Sequence, residues 1–274
     1  MRIIVENLAD AATLTDSPAM HYAAPVVNLQ DQSREKVART TGLSTQTIDV
    51  TLASARQISS VVIYRGNFTT AGLWRVKVYD TPAMGTLLYD SGDSYLAAPK
   101  PFGDLDWGVD PLGASLFDGW GYVFAALWFA TVTGSFIRIT LSDPANPDGY
   151  MEASRLFVGA YIEPSTMPWP GLSLQWRDSS TQSRTDGGTL RTEAGAQFRA
   201  LVVSGALMPE DQRTALTTLL KDAGLRQDVY VSVFPGENSA RERDYQMQAK
   251  LVATDPIAMT AFGLTNQTLR LEEI

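Results

Sequence analysis

Residues 138–159 read RITLSDPANPDGYMEASRLFVG, a strand, a polar turn and a second strand. Phe136 to Leu141 alternate between the two faces of an extended chain, which is the period of a half-buried strand. Two prolines, an asparagine and Asp148-Gly149 then force the backbone to turn. An apolar run from Leu156 to Ile162 follows. This segment therefore predicts two strands of an antiparallel β domain.

The rest of the first half repeats the strand pattern. Leu73 to Asp80 places Trp74, Val76 and Val78 on one face. Further short β segments are predicted at 45–52 and 58–64, and segments 122–132 and 136–141 are predicted to form a hairpin about Thr133-Gly134-Ser135. Several short strands at this spacing indicate a β-sandwich or barrel.

A long loop interrupts these strands at 97–121. It is rich in proline, glycine and aspartate and carries aromatic residues. Long loops in compact domains often have a function. Trp107, Trp120 and Tyr122 are therefore candidate contacts for a partner subunit or for the face of a sugar, although burial in the core is the commonest place for such residues.

The sequence EPSTMPWPG at 163–171 predicts a linker between two domains. The expected organisation is a β-sandwich at 1–162, this linker, and a small α+β domain at 172–274. In the second domain, a helix is predicted to begin near Pro209 and to end before Gly224. Trp169 within the linker is a further candidate contact residue.

Composition excludes several classes of function. The net charge of −8 argues against nucleic acid and against an anionic membrane surface. No cysteine is present, and His21 is the only histidine, so thiol chemistry and zinc sites of the usual kinds are excluded. No Gly-x-Ser-x-Gly motif accompanies His21. The protein is therefore predicted not to be an enzyme and to need no cofactor. No apolar segment is long enough to enter or span a membrane.

Two acidic segments leave other interpretations open. Asp143, Asn146, Asp148 and Glu152 could supply oxygen ligands to calcium, but their spacing does not follow the EF-hand loop, so a turn that bonds its own backbone is preferred. Asp104, Asp106 and Asp110 beside Trp107 contain the residue types of a glycoside hydrolase. A solvated acidic loop is the simpler explanation.

The residues already quoted resemble a known family. LWRVKVYD at 73–80, LYDSG at 88–92 and FIRI at 136–139, with Asp143-Pro144 and Asp148-Gly149-Tyr150, resemble the galactose-binding-like jelly roll of bacteriophage tail proteins. More loosely, RALVV at 199–203, MPED at 208–211, VSVFP at 231–235 and LRLEE at 269–273 resemble the small domains of tail-tip and baseplate proteins. The fold expected is mainly β, an N-terminal jelly roll followed by a smaller α+β domain.

The resemblance implies a structural role in a phage tail, near the tip or baseplate. Repeated copies would form a homo-oligomeric ring, contact other tail proteins, and reside in the virion after assembly in the host cytoplasm. The alternative is a carbohydrate-binding module that recognises a glycan on the host cell surface. In that case the aromatic loop would carry the sugar site.

Overall fold

The computed structural model describes residues 1–164, 171–261 and 264–274. The chain forms two compact units: Met1–Glu163 with Tyr230–Gln246, and Pro164–Val229 with Met247–Ile274. Strands dominate both, as the mainly β fold class predicts. The division predicted from the sequence, at a linker over 163–171, stays a prediction, and Trp169 lies outside the described residues.

The first unit is built from short and long strands. Their bounds are β1 Arg2–Ile4, β2 Thr13–Ser17, β3 Ala38–Arg39, β4 Gln46–Gly66, β5 Leu73–Tyr79, β6 Leu87–Asp90, β7 Ser94–Tyr95, β8 Val123–Ser142, β9 Glu152–Gly159 and β10 Tyr161–Ile162. Short 3-10 helices lie at Leu8–Ala11, Val26–Gln30 and Phe102–Asp104. Strand β4 pairs with β2, β8 and β9, and β8 also pairs with β5.

The sandwich is formed by two long strands that bend together. The first half of β4 pairs with the second half of β8, beside β2 and β5. Beyond register shifts between Thr51 and Ser60, the second half of β4 pairs with the first half of β8, beside β9. Both sheets therefore share the same two strands.

The predicted hairpin about Thr133-Gly134-Ser135 is wrong, because these residues lie within one continuous strand, β8. Gly134 pairs with Arg56 of β4 at the bend. A Cβ on Gly134 would lie 2.6 Å from the carbonyl oxygen of Tyr79. This glycine therefore permits a close approach between two backbones. In the sequence, a glycine required for that reason looks the same as a glycine in a turn.

The core lies between the two halves of the sandwich. Trp74, Val76 and Val78 are buried on one face of β5, as their alternation predicts. Burying one such side chain contributes on the order of 1.5–3 kcal/mol. The segment Ala153–Gly159 of β9 is buried without alternation, so both of its faces are covered. On one side, Tyr230 packs 5.5 Å from the ring of Phe157 and 5.9 Å from that of Tyr64.

A buried arginine ties the edge of the sandwich to the N-terminal segment. Arg155 has 1% of its side chain exposed and forms an ion pair with Asp10 at 2.7 Å. Its guanidinium also donates to the carbonyl oxygens of Leu29 and Gln30. Because a buried charge needs several partners, these contacts fix the two 3-10 helices against β9.

The turn after β8 bonds its own backbone and its neighbours. Asp143 accepts hydrogen bonds from the backbone nitrogen of Thr69 at 2.8 Å and from its hydroxyl at 2.7 Å. Asn146 accepts from the backbone nitrogen of Asp148. Within the described residues, no group of three or more histidines and carboxylates is placed to hold a metal ion. These hydrogen bonds are those of a turn that bonds its own backbone, which is the structure preferred from the sequence.

The second unit is an antiparallel sheet with a helix. Its elements are β11 Ser173–Asp178, β12 Thr181–Arg184, β13 Leu190–Glu193, β14 Gln197–Pro209, α1 Glu210–Asp222, β16 Gln246–Thr254, β17 Ala258–Ala261 and β18 Leu264–Glu273; β15 Asp228–Ser232 and α2 Ala240–Asp244 complete the chain. The order β11–β14–β18–β16 defines the sheet, and the helix predicted to end before Gly224 is α1.

A buried ion pair lies in this second sheet. Arg199 of β14 and Glu273 of β18 form two side-chain hydrogen bonds of 2.8 Å, and their side chains are 0% and 3% exposed. The pair therefore links two neighbouring strands across the ladder.

No helix within the described residues is long and apolar enough to cross a membrane.

Candidate functional site

The loop at 97–121 is closed at its base and projects at its tip. An isolated bridge joins Pro99 to Ser115, and Lys100 donates its backbone nitrogen to the carbonyl of Ala114 at 2.8 Å. Closer to the tip, the Lys100 ammonium contacts Asp110 at 2.8 Å. This hydrogen bond is the main cause that lowers the pKa of Asp110.

Apolar side chains cover the tip of this loop. Trp107 is 69% exposed and packs edge-on against Phe102, which is 67% exposed, with 5.0 Å between ring centroids. Val109 and Leu112 are 75% and 81% exposed. We call Phe102, Trp107, Val109 and Leu112 the loop-tip patch. Such a cluster on a surface loop marks a contact site more often than scattered apolar residues do.

A second feature is an open cleft of about 460 Å³ between segments 66–70 and 111–123. We call it the Tyr122 cleft. Tyr122, Phe68 and Phe117 are among the aromatic residues that line it, and Asp118 and Thr70 are among the polar ones. Neither Trp107 nor Trp120 is among the described residues that line it.

The ring of Tyr122 is held by a cation. The guanidinium carbon of Arg65 lies 4.2 Å from the centroid of the Tyr122 ring, which is within the range of a cation–π interaction. Arg65 adopts a φ of 56°, a left-handed conformation that is uncommon for a residue other than glycine. Strained backbone of this kind concentrates at functional sites and is a reason to suspect one here.

The polar groups of the cleft differ in how far they are already used. The side-chain amide of Asn67 bonds Asp148, Tyr150 and Glu152. Asp118, by contrast, is exposed and accepts one hydrogen bond, from the backbone nitrogen of Ser115 at 3.1 Å. Its other carboxylate oxygen accepts none from the residues that the structure describes. Asp118 therefore uses less of its hydrogen-bonding capacity within the protein than Asn67 does.

Trp120 anchors the C-terminal part of the loop by packing against Arg243. It is partly buried, and the guanidinium carbon of Arg243 lies 4.5 Å from the centroid of its indole ring. The same guanidinium donates to the carbonyl of Leu116. These contacts fix the C-terminal part of the loop, which carries Asp118.

The structure thus separates the residues that the sequence grouped together. Trp107 lies at the loop tip, Tyr122 in the cleft, and Trp120 beneath the loop; Trp169 lies outside the described residues. Their role as contacts stays a prediction. Sequence reasoning missed Arg65, Asp118 and Arg243. Only Asp118 had a local signal, because an Asp-Gly pair is typical of a turn. The structure agrees, since Gly119 has a φ of 74°.

One of the acidic residues at the loop tip, Asp110, is engaged by groups of the loop itself. Asp110 accepts from the backbone nitrogen of Asp106 at 2.9 Å and from Lys100, and its lowered pKa is the opposite of what a general acid requires. His21, the lone histidine, accepts a hydrogen bond from the backbone nitrogen of Ala23 at 3.3 Å, in a turn.

Comparison with known proteins gives no family model and no curated protein that matches. Solved structures that resemble the chain include a chitosan-binding module of a chitosanase/glucanase from Paenibacillus sp. IK-5, with a TM-score of 0.40 and 14% identity, covering 57% of this chain and 99% of that one. The family 32 carbohydrate-binding module of NanJ from C. perfringens, solved with galactose, has a TM-score of 0.38 and 16% identity, with coverages of 59% and 100%.

A fucose-binding module from Streptococcus pneumoniae is similar at a TM-score of 0.37 and 14% identity, over 57% of this chain and 99% of that one. All three of these neighbours are described as carbohydrate-binding modules. Likeness at this level carries no statement about a ligand. It does not bear on the phage-tail assignment, which stays a prediction.

Proposed function

We propose that the first unit is a non-catalytic carbohydrate-binding module and that the Tyr122 cleft holds the sugar. The observation that carries this proposal is the combination of an aromatic ring fixed by Arg65 and an exposed carboxylate, Asp118, on one open cleft. A pyranose ring has an apolar face of C–H groups and a rim of hydroxyls. It therefore needs both an aromatic wall and hydrogen-bond acceptors.

Each residue then has a distinct task. The ring of Tyr122 packs against the apolar face of the sugar, and Arg65 limits the movement of that ring. Asp118 accepts hydrogen bonds from sugar hydroxyls, and a bond to a charged acceptor is worth about 1.5–3 kcal/mol. Arg243 fixes the loop so that Asp118 is held in place before the sugar arrives, which lowers the entropic cost of binding.

The test is a glycan array with the full chain, followed by calorimetry on the glycans that bind. Tyr122→Ala and Asp118→Asn are each expected to weaken binding about tenfold or more, which corresponds to about 1.4 kcal/mol. Tyr22→Ala is the matched control, since Tyr22 is 90% exposed and does not line the cleft. Absence of any bound glycan for the wild-type chain would contradict the proposal.

A second candidate function is assembly into a phage tail, near the tip or baseplate. The loop-tip patch favours it, because Val109 and Leu112 are aliphatic and more than 70% exposed. Exposed aliphatic side chains gain free energy when another protein surface buries them. We therefore propose contacts with other tail proteins through this patch.

The two candidates are separable by experiment. Trp107→Ser and Leu112→Ser would prevent incorporation of the labelled chain into tail particles, as seen by electron microscopy, and leave glycan binding unchanged. Incorporation of both variants at the wild-type level would exclude the patch as the assembly contact.

A further inference from the structure

A small cavity lies within the first unit, apart from the loop tip. It is lined by the base of the loop at 97–121, by β8 and by residues 238–246, and its volume is about 70 Å³. A cavity of about 150 Å³ accepts benzene, so this one accepts a smaller molecule. Two exposed residues, Tyr95 and Asn238, are among those that line it, and the cavity therefore reaches the surface.

The lining contains a buried carboxylate that has no countercharge. Glu242 is 7% exposed, and we call the space beside it the Glu242 cavity. One carboxylate oxygen accepts from the backbone nitrogen of Gly236 at 2.8 Å and the other from that of Asn238 at 2.7 Å. Among the described residues, no lysine or arginine pairs with this carboxylate. Burial is the main cause that raises the pKa of Glu242. Since buried charges are normally paired, a cationic ligand would stabilise this one.

The neighbouring arginine does not supply that countercharge. Arg243 also lines the cavity, but its Nε and Nη2 donate to the Asp244 carboxylate at 2.9 and 2.8 Å. Its Nη1 donates to the carbonyl of Leu116, and its guanidinium carbon lies 4.5 Å from the centroid of the Trp120 ring. The charge of Arg243 is therefore balanced by Asp244, and the charge of Glu242 is not.

A second buried polar side chain of the lining has an unused donor. Gln246 is 6% exposed, and its Oε1 accepts from the hydroxyl of Tyr230 at 2.8 Å. Its Nε2 donates to none of the residues that the structure describes. A buried donor without a partner is costly, so an oxygen atom on the ligand would be favourable here.

The remaining walls of the cavity are mostly apolar. Phe117 and Phe124 pack edge to face with 4.7 Å between their ring centroids, and Leu96, Leu116 and three alanines complete this part of the lining. Aromatic rings attract cations, and apolar walls favour the carbon atoms of a ligand over water. The cavity thus combines one anion, one unused donor and apolar walls. These features fit a short carbon chain that carries an ammonium group and an oxygen.

We propose that the Glu242 cavity binds a small amino alcohol, with ethanolamine as the simplest example. Its ammonium donates to the carboxylate of Glu242, its hydroxyl oxygen accepts from Nε2 of Gln246, and its carbon atoms contact the apolar walls. The site is distinct from the Tyr122 cleft, because Phe117 is the one described residue that lines both. An amino sugar carries the same two groups, but the size of the cavity favours the free amino alcohol.

A series of ligands tests the chemistry on the unaltered full chain. In ligand-observed NMR titrations at neutral pH and constant ionic strength, ethanolamine is expected to bind. Ethylene glycol lacks the charge and propylamine lacks the hydroxyl, so each should bind at least about tenfold more weakly. The proposal is overturned if ethanolamine does not bind or if either analogue binds equally well.

Glucosamine separates the two sources of this chemistry. It places an ammonium and a hydroxyl on neighbouring carbons of a ring, and that ring is larger than the cavity. Glucosamine should therefore bind more weakly than ethanolamine. Tighter binding by glucosamine would overturn the assignment to a free amino alcohol.

Glu242→Gln tests the role of the carboxylate, because it removes the charge and nearly preserves the shape. Affinity for ethanolamine should fall at least about tenfold, to the level of ethylene glycol, while affinity for ethylene glycol stays unchanged. Glu237→Gln is the matched control, since Glu237 is exposed, pairs with Arg241 and does not line the cavity. Wild-type affinity in a folded Glu242→Gln variant would contradict the proposal. If that variant does not fold, the ligand series on the wild type decides.

Discussion

Arg243 and Trp120 are 123 positions apart in the chain, and the guanidinium carbon of the first lies 4.5 Å from the indole centroid of the second. The residues belong to the same compact unit because residues 230–246 return to it. Arg243 also donates to the carbonyl of Leu116. One side chain therefore holds two points of the loop that carries the proposed sugar acceptor.

Replacing Arg243 should loosen that loop. Arg243→Met removes a hydrogen bond and a cation–π contact, which together are worth about 1–3 kcal/mol. Amide hydrogen exchange over 97–121 should become faster, and affinity for glycan should fall without loss of Tyr122. Arg241→Met is the control, since Arg241 is on the same helix but pairs with Glu237. Unchanged exchange in the loop would show that other contacts hold it.

Gly134→Ala should destabilise the first unit. The added Cβ would lie 2.6 Å from the carbonyl of Tyr79 and 2.9 Å from Val78, so the strands at the bend must separate. The expected cost is about 1–3 kcal/mol in the free energy of unfolding, measured with urea. Gly187→Ala is the control, because nothing lies within 4 Å of its added Cβ. Equal stabilities for the two variants would contradict the close approach.

Breaking the buried ion pair in the second unit should be costly. Glu273→Gln leaves the Arg199 guanidinium buried without a countercharge, at a cost of about 3–5 kcal/mol. Replacing both residues by apolar ones should cost much less than either single change. The exposed pair of Arg270 and Asp255 gives the comparison, and Asp255→Asn should change stability by less than about 1 kcal/mol. A small effect of Glu273→Gln would show that water reaches the pair.

The ion pair of Asp90 with Arg75 should make stability depend on acid pH. The hydrogen bond from Arg75 is the main cause that lowers the pKa of Asp90 from 3.8 to about 2. Because the folded pKa lies below the unfolded one, this contribution is present above about pH 4 and is lost as the pH falls toward 2. Solvent reaches the pair, so the contribution is less than about 1 kcal/mol.

The measurement is the free energy of unfolding against pH for the wild type and Asp90→Asn. The difference between the two should shrink between pH 4 and 2. Asp93→Asn is the control, since its carboxylate is 3.9 Å from Arg75 and more exposed. A constant difference across this range would exclude a pKa shift at Asp90.

Much of the first unit could be predicted from local pattern. Alternation of Trp74, Val76 and Val78 indicates a strand with one buried face, and the structure places them so. Alternation cannot distinguish two strands of a hairpin from two halves of one bent strand. A glycine at position 134 is compatible with a hairpin turn and also with a bend in one strand. The structural reason for the glycine is the close approach to Tyr79, a residue distant in the chain.

The candidate site was only partly predictable, because its contacts also join residues that are distant in the chain. Tyr122 could be suspected because it is an aromatic residue beside a glycine-rich loop. Arg65 directly follows the strand predicted at 58–64, and Arg243 lies far along the chain. Nothing local reveals that either faces an aromatic ring. Side chains that act by holding other side chains leave no spacing pattern in the sequence.

The return of residues 230–246 to the first unit has a consequence for biosynthesis. Tyr230 covers Tyr64 and Phe157, so the emerging polypeptide cannot finish its earliest core until the ribosome has made most of the protein. In the meantime those two rings lack their contact with Tyr230 on the nascent chain. A gene fragment that stops after Glu163 would encode a product with that apolar surface permanently exposed, and such a product would be prone to aggregate.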